Sequence, residues 1–162
     1  MAYLLDANVF IQPKNTYYGF DFCPAYWDWL EIQNGAGLVF SVEKIEEELQ
    51  GHDDHLSRWA KARGSSFFLP PDAAILNAFT VVTNWLRTPR YRQSAITDFL
   101  QAPDFTLVAH ALAHGHTVVT QEEPSNGQKR VKIPEVCVGV GVKYTNLYGM
   151  LRTERARFVL AK

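Results

Sequence analysis

Four acidic positions stand at or near strand ends and helix starts: Asp6, one acid of the Glu46–Glu48 group, Asp104 and Glu122. Asp6 comes late in Tyr3–Val9, a nearly continuous apolar run. A carboxylate in a buried strand is costly unless it is paired, hydrogen-bonded or holding a cation. A cap on a neighbouring loop would use Asp6 structurally; a cation would use it chemically. Asp104 follows Pro103 at a helix start, where an acid caps the first turn or meets the helix dipole. Leu107, Val108 and Ala111 follow three, four and seven positions later, so Asp104 also projects on the buried side of its helix. Glu122 comes just after Val118-Val119-Thr120, past another strand end. In open parallel α/β sheets ligands sit outside the carboxyl ends of the strands, near a switch in strand order. Acids gathered there are candidates for holding a cation.

The glutamate cluster is resolved by turning its helix at about 100° per residue. Glu46 and Glu48 then flank the apolar stripe of Ile45 and Leu49, while Glu43 and Glu47 point outward. Glu48 is the better candidate for a half-buried carboxylate, and an acidic solvated face accounts for Glu43 and Glu47.

The elements that must carry these residues can be traced along the chain. Tyr3–Val9, Leu38–Phe40 and Thr117–Thr120 are expected strands, and Phe10–Pro24 an irregular aromatic segment. Pro24 opens a helix over Ala25–Gln33, closed by Asn34-Gly35. Ser41 is expected to N-cap a helix running to about Gly51. Further helices are expected over Asp54–Arg63, Ala73–Leu86, Arg92–Leu100 and Phe105–His114, with Gly64 and Gly115 as stops. Glu122–Lys132 reads as a loop turning at Ser125-Asn126-Gly127. Helices alternating with short apolar strands predict an α/β fold, with a parallel sheet at its centre.

The 162 residues, 47% hydrophobic and 20% charged, suit one globular domain over 1–162 and exclude a disordered or collagen-like chain. Two cysteines, Cys23 and Cys137, are too few for a disulfide scaffold and predict free thiols in a reducing compartment. With neither a signal-peptide pattern nor an apolar run near the ~20 residues of a membrane span, the expected location is the cytoplasm, with no membrane partner. The net charge of −1 conceals a division. Residues 1–56 hold ten acids against two bases, a net of −8, and residues 57–162 hold fourteen bases against seven acids, a net of +7.

Taken together, Leu4-Leu5-Asp6-Ala7-Asn8-Val9, Ser41 through Glu48-Leu49, Asp104 through Ala111 and Val118 through Glu122 resemble the PIN-domain nucleases. These are single-domain metal-dependent ribonucleases, many of them VapC-like toxins of bacterial toxin–antitoxin modules. Tyr17-Tyr18-Gly19-Phe20, Pro24 through Trp29 and Lys132 through Cys137 are similar to an uncharacterised PIN-like bacterial subgroup. The likeness covers about residues 3–152 and rests on the order and spacing of motifs that are individually weak. It implies a short parallel sheet in a three-layer α/β/α arrangement. It also implies Asp6, an acid of the Glu46–Glu48 group, Asp104 and Glu122 as catalytic metal ligands, with Asn8 and Thr120 ordering the site. Counting from Ser41 in typical toxins points to Glu47, whereas the subgroup pattern and the helical wheel favour Glu48, which we take. Glu122 stands where the broad family usually has Asp, so its extra methylene changes the reach to a metal.

The cofactor implied is Mg²⁺ or Mn²⁺, hard ions that prefer oxygen ligands. Two such ions ~4 Å apart would activate water and clamp the leaving oxygen of an RNA phosphodiester. The RNA is expected to meet Arg87, Arg90 and Arg92, interleaved with Tyr91, and Lys129, Arg130 and Lys132 beside the Ser125–Gly127 turn. An antitoxin protein and a second copy of the chain, through the aromatic segment Tyr17–Trp29, are the other expected partners. Rival readings are a PIN-like RNA- or protein-binding module with little activity, and a metal-dependent phosphatase or DNA nuclease. His110 and His114 share the i, i+4 spacing of half a zinc site but have no acid or cysteine partner near them in sequence. Trp27, Trp29, Tyr26 and Trp59 are expected in the core or in subunit packing rather than against bases.

Overall fold

Apolar residues at three short segments build the centre of the molecule: β1 (Tyr3–Leu5), β2 (Val39–Val42) and β4 (Thr117–Val119). The computed structural model describes residues 1–161. Every residue of β1 and β4 is buried, as expected for strands covered on both faces. Two-residue strands β3 (Phe68–Leu69) and β5 (Tyr144–Thr145) complete a five-stranded, all-parallel sheet in the order β3-β2-β1-β4-β5. In register, Tyr3 lies beside Val39 on one side and Thr117 on the other, and Leu5 lies beside Val119. The chain therefore moves outward from β1 to β2 and β3, then returns to the other side of β1. The switch in strand order lies between β1 and β4.

Nine helices among the described residues flank the sheet, giving a three-layer α/β/α fold: α1 (Asn8–Asn15), α2 (Pro24–Gly35), α3 (Glu43–Leu49), α4 (His55–Arg63), α5 (Ile75–Leu86), α6 (Gln93–Gln101), α7 (Pro103–His114), α8 (Ile133–Val140) and α9 (Leu147–Thr153). None of them is long and apolar enough to cross a membrane. Their ends follow local chemistry. Asp54 accepts from the Ser57 N–H at 2.8 Å while the Asp54 N–H donates to Ser57 Oγ, a reciprocal cap on α4. Gly64 and Gly115 end α4 and α7 with φ of +62° and +69°, a region open to glycine at little cost.

Several expected boundaries are corrected. The first strand stops at Leu5, and Asn8–Asn15, expected as strand end and irregular segment, is helical with Pro13 inside it. Ser41 is not an N-cap. It is a buried residue of β2, paired with Phe68, whose hydroxyl donates to the Leu5 carbonyl at 2.6 Å. The helix begins after it, at Glu43. Elements β3, β5, α8 and α9 were not anticipated.

One core cluster runs through both sides of the sheet, from Leu4 and Val9 to Val136 and Met150. Tyr26 and Trp27 are buried in it, Trp59 is partly buried, and Phe10 and Phe67 lie edge-on or tilted to Trp59 with ring centres 6.0 and 5.4 Å away. These aromatics are packing residues. Both cysteines are free, Cys137 fully buried and Cys23 partly.

Candidate metal centre

Parallel strands bring their carboxyl ends to one edge, and the acids collect there. Asp6 is the first residue after β1 and is 4% exposed. Its N–H donates to the Val119 carbonyl, tying it to the end of β4 across the switch in strand order. Its carboxylate is fixed from two sides: Oδ1 accepts from the Ala7 N–H at 2.8 Å, and Oδ2 accepts from Thr120 Oγ1 at 2.9 Å. The same Thr120 oxygen accepts from the Glu122 N–H at 3.1 Å. One hydroxyl thus links the loop after β4 to the acid after β1. Asn8 is exposed at the start of α1, and among the described residues it donates nothing to Asp6.

Asp104 sits in the first turn of α7, held at the site by the packing of α7 on β2, β4 and α3. Among the described residues its side chain takes no hydrogen bond, so it is not a cap. Burial, then the charges of Asp6, Glu122 and Glu48, push it up to about 7, while Arg130 acts the other way. Asp6 is likewise pushed up to about 6 by burial, opposed by the Thr120 hydrogen bond and reinforced by Glu122 and Glu48. These are the signatures of carboxyls that lose hydration and face like charge.

The three consecutive glutamates separate clearly. The charge of Glu48 is felt at both Asp6 and Asp104. Glu48 is exposed overall, yet desolvation raises its carboxyl. Glu47 points outward and pairs with Lys44 at 3.1 Å, and Glu46 is raised by burial together with the charges of Glu43 and Glu47. Only Glu48 of the group therefore turns its charge toward the other acids.

Glu122 has commitments of its own. Oε2 accepts from the Ile133 N–H at 2.8 Å, at the start of α8, and Oε1 lies 3.4 Å from the Arg130 guanidinium. It is a helix-end acceptor as well as a member of the cluster, which the length of Glu allows.

The bases are distributed unevenly. Lys129 and Arg130 border a cleft of about 130 Å³ next to Asp104, and Asp98 of α6, absent from the expected set, lines it too. The signal for Asp98 is tertiary: α6 folds back on α7. Arg92 joins the same loop, its N–H donating to the Gln128 carbonyl at 3.2 Å. Lys132 is half-buried just before α8. Arg90 lies over Trp85, 5.6 Å from the ring centre, in a separate depression, and Arg87 is exposed at the end of α5. The histidines lie at the other end of α7. His114 finds an acid that its sequence neighbourhood lacks, Asp72, with Nε2 2.7 Å from Oδ2.

Among the described residues no three acid, histidine or cysteine side chains are already drawn around one point as ligands. The donor set nevertheless suits a hard divalent cation: four carboxylates that only accept when ionised, two of them, Glu48 and Asp104, without side-chain hydrogen bonds among the described residues, and two, Asp6 and Asp104, raised by burial and by neighbouring acids. No curated protein and no solved structure matches the chain significantly. Residues 3–158 match the family described as a domain of unknown function, DUF4411, and the chain belongs to that family.

Proposed function

We propose that this protein is a Mg²⁺- or Mn²⁺-dependent endoribonuclease whose site is Asp6, Glu48, Asp104 and Glu122. In this reading it acts in the bacterial cytoplasm as the toxin of a toxin–antitoxin module and is restrained by an antitoxin protein. The observation that carries the chemistry is the pair Asp6 and Asp104 at the carboxyl edge of the sheet, the first buried and the second half-buried, raised to about 6 and about 7 first by burial and then by neighbouring acids, Glu122 and Glu48 acting on both. A divalent cation offsets that repulsion and, when bound, supplies a Lewis acid for the phosphate and a more acidic water. Ala7 and Thr120 keep the Asp6 oxygens oriented, and Arg130 balances charge beside Asp104 and Glu122. Lys129 and Arg130 on the rim bind RNA phosphates. The choice of RNA and the toxin role rest on the likeness to PIN-domain toxins.

The test compares single-stranded RNA, single-stranded DNA and nucleoside phosphates with Mn²⁺, Mg²⁺ or EDTA. RNA is expected to be cut internally only with metal, and Asp104→Asn to lower the rate by about 100-fold or more, as for loss of one electrostatic contributor. RNA left intact under all metals, or an undiminished Asp104→Asn enzyme, removes the proposal. For the toxin role, wild-type expression should arrest growth and Asp104→Asn should not. Harmless expression of an active nuclease removes that part alone.

A further inference from the structure

Where α1 and α9 meet, an aromatic surface stands open to solvent beside three arginines. We infer that this surface is a stacking platform for the bases of single-stranded RNA, with Arg152, Arg155 and Arg157 taking its phosphates. The inference rests on the ribonuclease reading above for the choice of RNA, and on the surface itself for its chemistry.

Gln121 ties the platform to the acids. It precedes Glu122, and its Oε1 accepts from the Leu147 N–H at 2.9 Å, at the start of α9. Its Nε2 donates to Gln12 Oε1 on α1 at 3.3 Å. The acid-bearing loop, α1 and α9 thus meet at one side chain, and Tyr148 is the next residue of α9. A strand lying across the carboxylates reaches Tyr148 within a short step. The cleft bordered by Lys129 and Arg130 shares none of the platform's residues, so the two basic regions are separate.

The platform is firmly seated. Tyr18, Tyr148, Leu151, Arg152, Ala156 and Phe158 enclose a depression of about 190 Å³. Tyr18 stacks on buried Tyr26 with ring centres 4.8 Å apart and meets Phe158 edge-on at 5.4 Å. Its carbonyl accepts from Trp27 Nε1 at 2.8 Å, so the back of the depression belongs to the core. Tyr17 is the open front. It is 62% exposed and lies edge-on to Tyr148, with ring centres 6.4 Å apart. An exposed ring held by a second ring offers a face on which any base stacks.

Charge selects the occupant. Arg152, Arg155 and Arg157 are exposed, and among the described residues none of them pairs with an acid. Glu154, the one acid within Arg152–Arg157, is engaged by Tyr3, whose hydroxyl donates to it at 2.8 Å. Burial raises the Tyr18 and Tyr148 phenols, and the Arg152 charge opposes that at both, which places the guanidinium beside the two rings. Arg155 and Arg157 flank Ala156, which lines the depression from the segment after α9. Three unpaired cations around planar rings match a ligand that repeats phosphate and base. An apolar protein surface would leave the arginines unanswered.

The full-length chain in EDTA is titrated with labelled oligo-A, and with the same strand made abasic, by fluorescence anisotropy. The exposed change Tyr17→Leu, and Tyr148→Leu, should each weaken oligo-A about fivefold or more, the effect of one lost stacking contact, and leave the abasic strand unmoved. Tyr148→Phe keeps the ring and should bind oligo-A as the wild type does. Arg152→Gln should weaken both strands and flatten the slope of log affinity against log salt by about 0.7. No wild-type binding, unchanged oligo-A affinity in both leucine variants, or equal losses on the two strands overturns the platform. So does a wild-type dimer that Tyr17→Leu converts to monomer with RNA binding unchanged, since the surface is then a contact between copies. Base-dependent losses in a chain that cuts no RNA with Mn²⁺ support the platform and count against the ribonuclease reading. Metal-dependent cleavage with unchanged affinity in the variants does the reverse.

Discussion

Asp6 makes the cost of the site measurable. Its carboxyl is held at about 6, against 3.8 for the ordinary group, so the folded chain holds a proton there that the unfolded chain has released between those values. More protons bound in the folded state means stability that falls as pH rises through that window and stays low above it. At 1.36 kcal/mol per unit the loss from Asp6 is about 3 kcal/mol. Asp104, at about 7, gives the same sign over a window reaching higher. His110, lowered to about 4 mainly by burial, gives the opposite slope below neutrality, so the wild-type curve alone is a mixture. The clean measurement is a difference. Metal-free Asp6→Asn should be more stable than wild type at pH 8 by up to about 3 kcal/mol, with the gap closing by pH 4. Added Mn²⁺ should then reverse the order at pH 8, because a ligand that binds only the folded wild type stabilises only that protein. Equal pH profiles would show that Asp6 is not a buried, like-charged acid. A second comparison separates the glutamates: Glu48→Gln should cut Mn²⁺-dependent cleavage by about 100-fold, and Glu47→Gln, which loses only the exposed Lys44 pair, should leave it within about twofold. The larger loss in Glu47→Gln would return the choice to Glu47, and comparable losses would overturn the assignment to Glu48 alone. The placements legible in the sequence were those next to apolar runs: Asp6 at the end of the first strand, Asp104 in the first turn before Leu107 and Val108, and Thr120 after Val118-Val119. Asp98 was not legible, since it reaches the Asp104 cleft only because α6 packs against α7.

At the scale of elements, ends marked by side-chain chemistry were readable and ends set by pairing were not. Gly64, Gly115, Asp54 and Pro24 terminate or begin helices as their types require. Strands β3 and β5 contribute two residues each and have no periodicity to detect; they exist because β2 and β4 offer them an edge. Helix α1 was hidden by Pro13, which has no N–H for the Val9 carbonyl; the Tyr26 hydroxyl donates to that carbonyl instead, at 2.7 Å. Ser41 shows the difference best, because a serine before an acidic run is an ordinary N-cap signal. Here the serine is buried in β2 and donates to the Leu5 carbonyl, one residue before Asp6. The two roles predict different substitutions. An N-cap tolerates Ser41→Asp and improves or holds stability. A buried strand hydroxyl does not: Ser41→Ala should cost about 1 kcal/mol, and Ser41→Asp about 3 kcal/mol or more, for an uncompensated buried charge. Urea unfolding with an unchanged slope would read both values, and a stable Ser41→Asp protein would restore the capping role.

Over the whole molecule, the net charge of −1 hides how the two halves of the chain are used. The acidic first half supplies Asp6 and Glu48, the basic second half supplies Asp104 and Glu122, and the sheet edge collects all four. Lys129 and Arg130 then come to the border of the Asp104 cleft because the loop after β4 must turn back to start α8. On the proposed ribonuclease reading, RNA affinity is expected to depend on where the basic side chains stand and hardly at all on the total. Each phosphate neutralised in a single strand steepens the dependence of log affinity on log salt by about 0.7. In the Asp6→Asn background, which should bind without cutting, Lys129→Ala is expected to flatten that slope by about 0.7, the loss of one phosphate contact. Lys61→Ala makes the same change in net charge on the exposed side of α4 and should leave the slope within error. Fluorescence anisotropy of a labelled RNA between 50 and 200 mM salt, a range over which about 10³-fold changes are measurable, reads both. If the two lysines prove equivalent, RNA senses only overall charge and the basic rim has no part in binding. If Lys129 alone flattens the slope, a chain that is nearly neutral as a whole binds a polyanion by holding its acids inside and its bases at the edge.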